Sequence, residues 1–138
     1  MPELQRIEIA AANGIGNARS VAKAYSEFAT GGKTLGLKQE TLDALEQKAT
    51  SPTDGLMDEV LGLESAFSLG YLKPFPKFQF GTSDRAYGTP GAGGSFGFAD
   101  PDLELSFAYV MNKCGFYIWN DPRERLLRDA TYACVKAL

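Results

Sequence analysis

The stretch that most constrains this chain is residues 87–112, YGTPGAGGSFGFADPDLELSFAYVMN. Ser95, Phe96, Gly97, Phe98 and Ala99 favour extended backbone. Ala99-Asp100-Pro101-Asp102 then supplies turn chemistry, with the proline presetting its own φ. Beyond the turn, Leu105, Phe107, Tyr109 and Met111 alternate with Ser106, Ala108 and Val110. So apolar a run predicts a strand buried on both faces. Ahead of the hairpin, Gly88, Gly91, Gly93 and Gly94 let the backbone take positive φ or approach a ligand closely. The expected order is a Gly-rich turn, a strand, a hairpin tip and a second strand, with the hairpin central in its sheet.

This stretch resembles the third motif of serine β-lactamase-like hydrolases, a group that includes class C β-lactamases, related penicillin-binding proteins and family VIII esterases. Those proteins carry Lys-Thr-Gly or His-Thr-Gly on an edge strand. A Gly-rich turn and two antiparallel strands follow. Thr89-Pro90-Gly91 falls where that triplet belongs, and Ala92-Gly93-Gly94-Ser95 matches the turn. Thr89 stands where the family has a cation or an imidazole. The resemblance implies substrate binding along Thr89, Pro90, Gly91 and Ala92, with the Ala92 N–H helping to form an oxyanion hole. Backbone donors stabilise charge on a carbonyl oxygen whatever side chain they carry.

Two further stretches carry the resemblance. ANGIGNARSVAKAYSEFA is similar to the family helix that follows the catalytic subdomain, and residues 67–72 are similar to its Tyr-Gly-Leu-Gly strand. The match spans nearly the whole chain, but only the C-terminal part of a family catalytic domain. It implies an α+β fold, an antiparallel sheet packed with helices. It also implies ester or amide hydrolysis through an acyl-serine in full-length relatives, without a cofactor. The region bearing the nucleophile falls outside the match, so the chain is expected to be inactive alone. The alternative is a non-catalytic binding module of the same ancestry.

Composition narrows the rest. A length of 138 residues suits one domain, here a leader over 1–12 and a partial domain over 13–138. A net charge of −3 argues against a nucleic-acid footprint. No apolar run is long enough to span a bilayer, and the N-terminus lacks the plan of a secretory signal. A cytoplasmic location is therefore expected. The sequence has no histidine, which excludes Ser-His-Asp and Cys-His triads and His-ligated zinc. Cys114 and Cys134 read as buried free thiols rather than a disulfide.

Helix signals are clearest in three places. Over 13–30, Gly16 or Asn17 is the expected N-cap. Ile15, Ala18, Val21, Ala22, Tyr25, Phe28 and Ala29 form one apolar stripe, and Gly31-Gly32 stops the helix. A second helix is expected over 38–49, with Leu42 and Leu45 inward. The last opens at Asp121-Pro122, with Leu126, Leu127, Ala130, Ala133, Cys134 and Ala137 as its stripe. Between them, 50–55 reads as a surface loop, 58–63 as one helical turn, 67–72 as a strand and 78–80 as a short strand. In the leader, Leu4, Ile7 and Ile9 are placed to lie along something apolar.

Several motifs invite chemistry. Ser20-Val21-Ala22-Lys23 has the SxxK spacing of a nucleophile and its base, which needs a desolvated Lys23. At about 100° per residue, however, Ser20 and Lys23 lie opposite the apolar stripe and face solvent. Gly31-Gly32-Lys33-Thr34 resembles the end of a P-loop, but Glu27 stands where glycine is required and a helix precedes it. Gly14-Ile15-Gly16 has Arg19 where a dinucleotide fingerprint needs glycine or alanine. Asp100, Asp102 and Glu104 lack the calcium-loop pattern and read as a solvated tip. Ser83-Asp84-Arg85 lies too close to the third motif to be the second. No metal or cofactor is expected. The expected partners are a second copy of the chain or a missing N-terminal catalytic portion, and a small acyl ligand, because an open strand edge needs covering.

Overall fold

A computed structural model describes residues 3, 6–9, 14–48, 50 and 55–138. Leu4 and most of the 50–55 loop lie outside the described residues. Helix α1, Ala18–Ala29, begins with a reciprocal cap. The Ser20 N–H donates to Asn17 Oδ1 at 2.9 Å, and the Asn17 N–H donates back to Ser20 Oγ at 3.4 Å. Tyr25, Phe28 and Ala29 face inward as their spacing predicts, whereas Ile15 lies before the helix and is exposed.

Helix α2, Gln39–Glu46, buries Leu42 and Leu45. It stops short of residue 49 because Gln47 turns to extended backbone (ψ 142°). Its last carbonyls are capped from outside by a buried lysine. Lys73 Nζ donates to Leu45 O at 3.1 Å, Glu46 O at 3.2 Å and Arg85 O at 3.0 Å. It also lies 5.2 Å from the centroid of the Tyr87 ring. Glu46 directs its carboxylate at Arg85 instead, so the hydrogen bonds of Lys73 all go to backbone carbonyls. Burial pushes the Lys73 ammonium down to about 8.

The segment expected to be a helical turn is a small hairpin, β1 (Met57–Asp58) with β2 (Leu63–Glu64). Asp58 closes it by accepting from the N–H groups of Val60 and Leu61, both at 2.9 Å. The strand expected over 67–72 is also a hairpin, β3 (Phe67–Ser68) with β4 (Tyr71–Leu72). Leu69 and Gly70 both take positive φ (48° and 84°), the geometry of a two-residue hairpin turn. Residues 78–80 form no strand. Phe78 makes one bridge to Phe75, and both Phe78 and Phe80 are buried.

Strands β5 (Tyr87–Gly91), β6 (Ser95–Asp100) and β7 (Leu105–Tyr109) complete an antiparallel sheet of order β3-β4-β5-β6-β7. A 3₁₀ turn, Pro101–Leu103, joins β6 to β7, with Glu104 left-handed at φ 49°. The most buried strand is β6, not β7. Among the described residues strand β7 is the sheet edge, and it is only half-buried, so the hairpin is not central there.

The hairpin tip is solvated only in part, with Asp102 and Glu104 exposed as expected and Asp100 not. Asp100 is fully buried and accepts from the hydroxyls of Thr82 (2.9 Å) and Tyr132 (2.7 Å). Asp102 binds Ser83 and Arg85. Ser83-Asp84-Arg85 thus serves as a clasp between this tip and α2.

Helix α3, Pro122–Val135, opens as expected, with Asp121 accepting from the Arg123 N–H at 3.0 Å. Its buried face is not the expected stripe. Glu124 and Arg128 are buried against the sheet, while Leu126 and Leu127 are 71% and 52% exposed. Cys134 faces out with them, and Cys114 is also exposed, so both thiols are free but not buried.

Candidate functional site

The two sheet faces differ, and their side chains define where the site lies. Phe96 and Phe98 point toward α3, where Tyr132 stacks on Phe98 at 6.3 Å. Gly97, between them, points the other way. A Cβ there would meet Val21 and Tyr25 of α1 at 2.7 Å, so α1 can approach only because residue 97 is glycine. Thr89 pairs with Gly97, and Gly91 with Ser95, on that same α1 side.

Strand β5 pairs with β6 along its whole length, but with β4 only at Leu72 and Gly88. Among the described residues no strand covers the outer edge of Thr89, Pro90 and Gly91. Gly93 and Gly94 turn the chain into β6 with φ of 97° and 109°. Gly88 and Gly91, by contrast, sit in the ladder with no positive φ.

The turn is held from behind by the segment after β7. The Gly93 N–H donates to Tyr117 O (3.2 Å), and the Gly115 N–H donates to Gly93 O (2.8 Å). Arg123 completes the brace. Its Nε and Nη2 donate to Asp121 at 2.9 and 2.5 Å, its Nη1 to Lys113 O at 2.8 Å, and Nη2 reaches Gly93 O at 3.4 Å. The guanidinium holds the Asp121 carboxyl below its ordinary range. Asp-Pro-Arg was legible as a helix start, but nothing in its spacing announced a turn brace. Ala92 at the apex is exposed, and its N–H meets no partner among the described residues.

On the α1 side, a groove of about 220 Å³ runs beside the triplet. Gly97, Val21 and Val110 line it together with four hydroxyl-bearing residues, Tyr25, Thr89, Ser95 and Tyr109. Burial pushes the Tyr25 phenol up, and the neighbouring Thr89 acts in the opposite direction.

Ser20 and Lys23 are not brought together. Ser20 Oγ donates to Asn17 Oδ1 at 2.9 Å within the helix cap. Lys23 is exposed and pairs with Glu27 at 3.2 Å. Thr89, Pro90, Gly91 and Ala92 do fall together, on one open edge running into one turn.

The class defined by this fold and edge is the α+β fold of β-lactamases and penicillin-binding proteins. The chain belongs to the Beta-lactamase family, whose sequence model matches residues 1–127. It is 32% identical over 106 residues to an esterase/β-lactamase, LipL, of Mycobacterium tuberculosis, covering 77% of this chain and 24% of that protein. The crystal structure of a penicillin-binding protein homologue from Caulobacter crescentus superposes with a TM-score of 0.83 at 34% identity, over 96% of this chain and 36% of that one. That of a family VIII carboxylesterase superposes with a TM-score of 0.75 at 33% identity, over 86% and 32%. The chain therefore spans about a quarter to a third of the length of these relatives. Among the described residues no helix is long and apolar enough to cross a membrane.

Proposed function

We propose that this chain supplies one wall of an acyl-transfer cleft, the triplet strand and its oxyanion turn, in a serine hydrolase of the β-lactamase family acting on esters or amides. The observation that carries this reading is the open β5 edge at Thr89-Pro90-Gly91, leading into an exposed and unpartnered Ala92 N–H. Such a donor stabilises an oxyanion without needing a particular side chain. Among the described residues nothing places a serine beside a desolvated lysine, since Ser20 and Lys23 point to solvent with other partners. On this reading the chain is a partial domain that supplies no nucleophile of its own.

Two surfaces fit a partner, either the nucleophile-bearing portion or a second copy of the chain. Among the described residues, no strand pairs with the outer edge of β7, and Leu126 and Leu127 of α3 are exposed. Free thiols at Cys114 and Cys134 suit a cytoplasmic setting. The test is turnover of a p-nitrophenyl ester and a chromogenic cephalosporin by the chain and by Ser20→Ala. No turnover in either is expected. Turnover abolished by Ser20→Ala would return Ser20 to the role of nucleophile and overturn the proposal. Light scattering at high concentration should show self-association if the partner is a second copy.

A further inference from the structure

The Ala92 N–H owes its direction to two peptide planes behind it. A trans peptide holds its C=O and N–H on opposite sides of one rigid plane, so fixing either end aims the other. Gly93 O is fixed by the Gly115 N–H at 2.8 Å and by Arg123 Nη2 at 3.4 Å. The Gly94 N–H, on the same plane, is thereby turned the opposite way and donates to Gly91 O at 3.1 Å. Gly91 O in turn shares its plane with the Ala92 N–H, which is left pointing away from the turn. Both residues flanking the Gly93–Gly94 plane are glycines, with φ of 97° and 109°. No Cβ opposes rotation of that plane, so backbone preference alone does not hold it. Glycine is required at 94 in any case, because a Cβ there would lie 2.2 Å from Asp121 Oδ2.

We propose that Arg123 is a positioning residue of the oxyanion turn: it locks the Gly93–Gly94 peptide plane and so keeps the Ala92 N–H directed outward. The proposal rests on the reading of this turn as an oxyanion site, and names the side chain that sets it. The guanidinium suits the task because its fork reaches three groups at once. Nε and Nη2 hold the Asp121 carboxylate, Nη1 holds Lys113 O two residues before the Gly115 N–H, and Nη2 also reaches Gly93 O. Asp121 is only 2% exposed, so the fork is anchored on a buried carboxylate. A lysine ammonium is a single point of donation and cannot span these partners.

The test uses the whole chain, ¹⁵N-labelled, unaltered and as Arg123→Lys, Arg123→Gln and, for control, Arg125→Gln. Arg125 lies on the same helix and pairs with Asp129 at 3.6 Å. Arg123→Lys keeps a positive charge beside Asp121, so this variant should stay folded. In both Arg123 variants the Gly94 and Gly115 amides should exchange with deuterium about tenfold faster, as the loss of a hydrogen bond from a charged group implies, and the Ala92 amide signal should shift. Amides of the β6–β7 ladder should keep their rates, and Arg125→Gln should leave all three turn signals in place. Faster exchange spread evenly over the ladder in Arg123→Lys would show that Arg123 merely supports the fold, and would overturn the proposal. Unchanged Gly94 and Gly115 rates in that variant would overturn it too, and leave the acyl-transfer reading standing. Protection of the Ala92 amide in the unaltered chain would instead remove the oxyanion reading itself, because an N–H already bonded cannot receive an oxyanion, and the proposal would fall with it.

Discussion

The two faces of the sheet are packed by opposite means. On the α1 face the helix lays down a neutral aromatic layer. Tyr25, Phe28, Tyr71 and Tyr87 meet one another at centroid distances of 5.4–6.4 Å. On the α3 face the helix buries charge. The Arg128 guanidinium lies 5.6 and 5.8 Å from the rings of Phe78 and Phe96, donates to Gln79 O, and is neutralised by Glu124 at 2.6 Å. Helix α1 follows the rule that the apolar stripe goes inward, and α3 inverts it. The inversion is possible because a paired guanidinium is flat and weakly hydrated, so it lies on aromatic faces as an apolar ring does. It also leaves Leu126 and Leu127 exposed.

The contrast breaks most decisively at the buried pair. Glu124→Ala or Arg128→Ala leaves one charge buried without its partner. Each should cost about 3–5 kcal/mol in chemical denaturation. Replacing both, as Glu124→Leu with Arg128→Met, should recover most of that loss, because a well-packed apolar pair stands in for a buried ion pair at little cost. If the double variant is no better than the singles, the pair is not acting as a self-contained unit. The same substitutions should leave the α1 face unaffected.

The next largest effect lies at Lys73, the only buried cation of the α2 junction among the described residues. Lys73→Met strands three carbonyls and should cost roughly 2–3 kcal/mol. The sign of its pH dependence follows from its lowered folded pKa, about 8 against an ordinary 10.5. Below pH 8 the lysine is charged in both states, and burying that charge counts against the fold. Between pH 8 and 10.5 the folded chain releases its proton before the unfolded chain does. The stability of the unaltered chain relative to Lys73→Met should therefore rise across that window, by up to about 3 kcal/mol. A flat or falling difference would show that the carbonyls, not burial, govern the ammonium.

Gly97→Ala probes the α1 face by geometry instead of charge. The new methyl would press on Val21 and Tyr25 at 2.7 Å. Overpacking of this kind costs about 1–3 kcal/mol. It should also shift the amide signals of Tyr25 and Thr89 on the α1 face.

How much of this was legible depends on which physics each segment obeys. Asn17, Asp121-Pro122 and Gly31-Gly32 act through the backbone next to them, and the helix limits they imply hold to within a residue or two. The Gly-rich turn was legible because Ala92-Gly93-Gly94 is contiguous and its two glycines take the positive φ that reverses the chain. What failed was non-local. Nothing around Leu69-Gly70 distinguishes a strand from a hairpin until Tyr71 finds Ser68. Asp100 reads as a solvated turn carboxylate until Thr82 and Tyr132 arrive from 18 and 32 residues away. In α3 the sequence offers two faces, one apolar and one charged. Periodicity favours the apolar one, and only the ring faces of Phe78 and Phe96 reverse the choice.

The smallest expected effect tests that reversal directly. If the apolar side of α3 faces outward in the chain as it stands, Leu126→Ser and Leu127→Ser should change unfolding free energy by no more than about 0.5 kcal/mol, the range of ordinary surface substitutions. Their counterparts on α1, Phe28→Ser or Ala29→Ser, strike a packed layer and should cost several times more. A loss above about 2 kcal/mol at Leu126 or Leu127 would mean that these leucines are covered, with two sources to separate. If the loss grows with protein concentration, the cover is a second copy, because only association makes stability concentration-dependent. If it does not, the helix has turned its apolar side inward, and the buried Glu124–Arg128 pair could not exist as described.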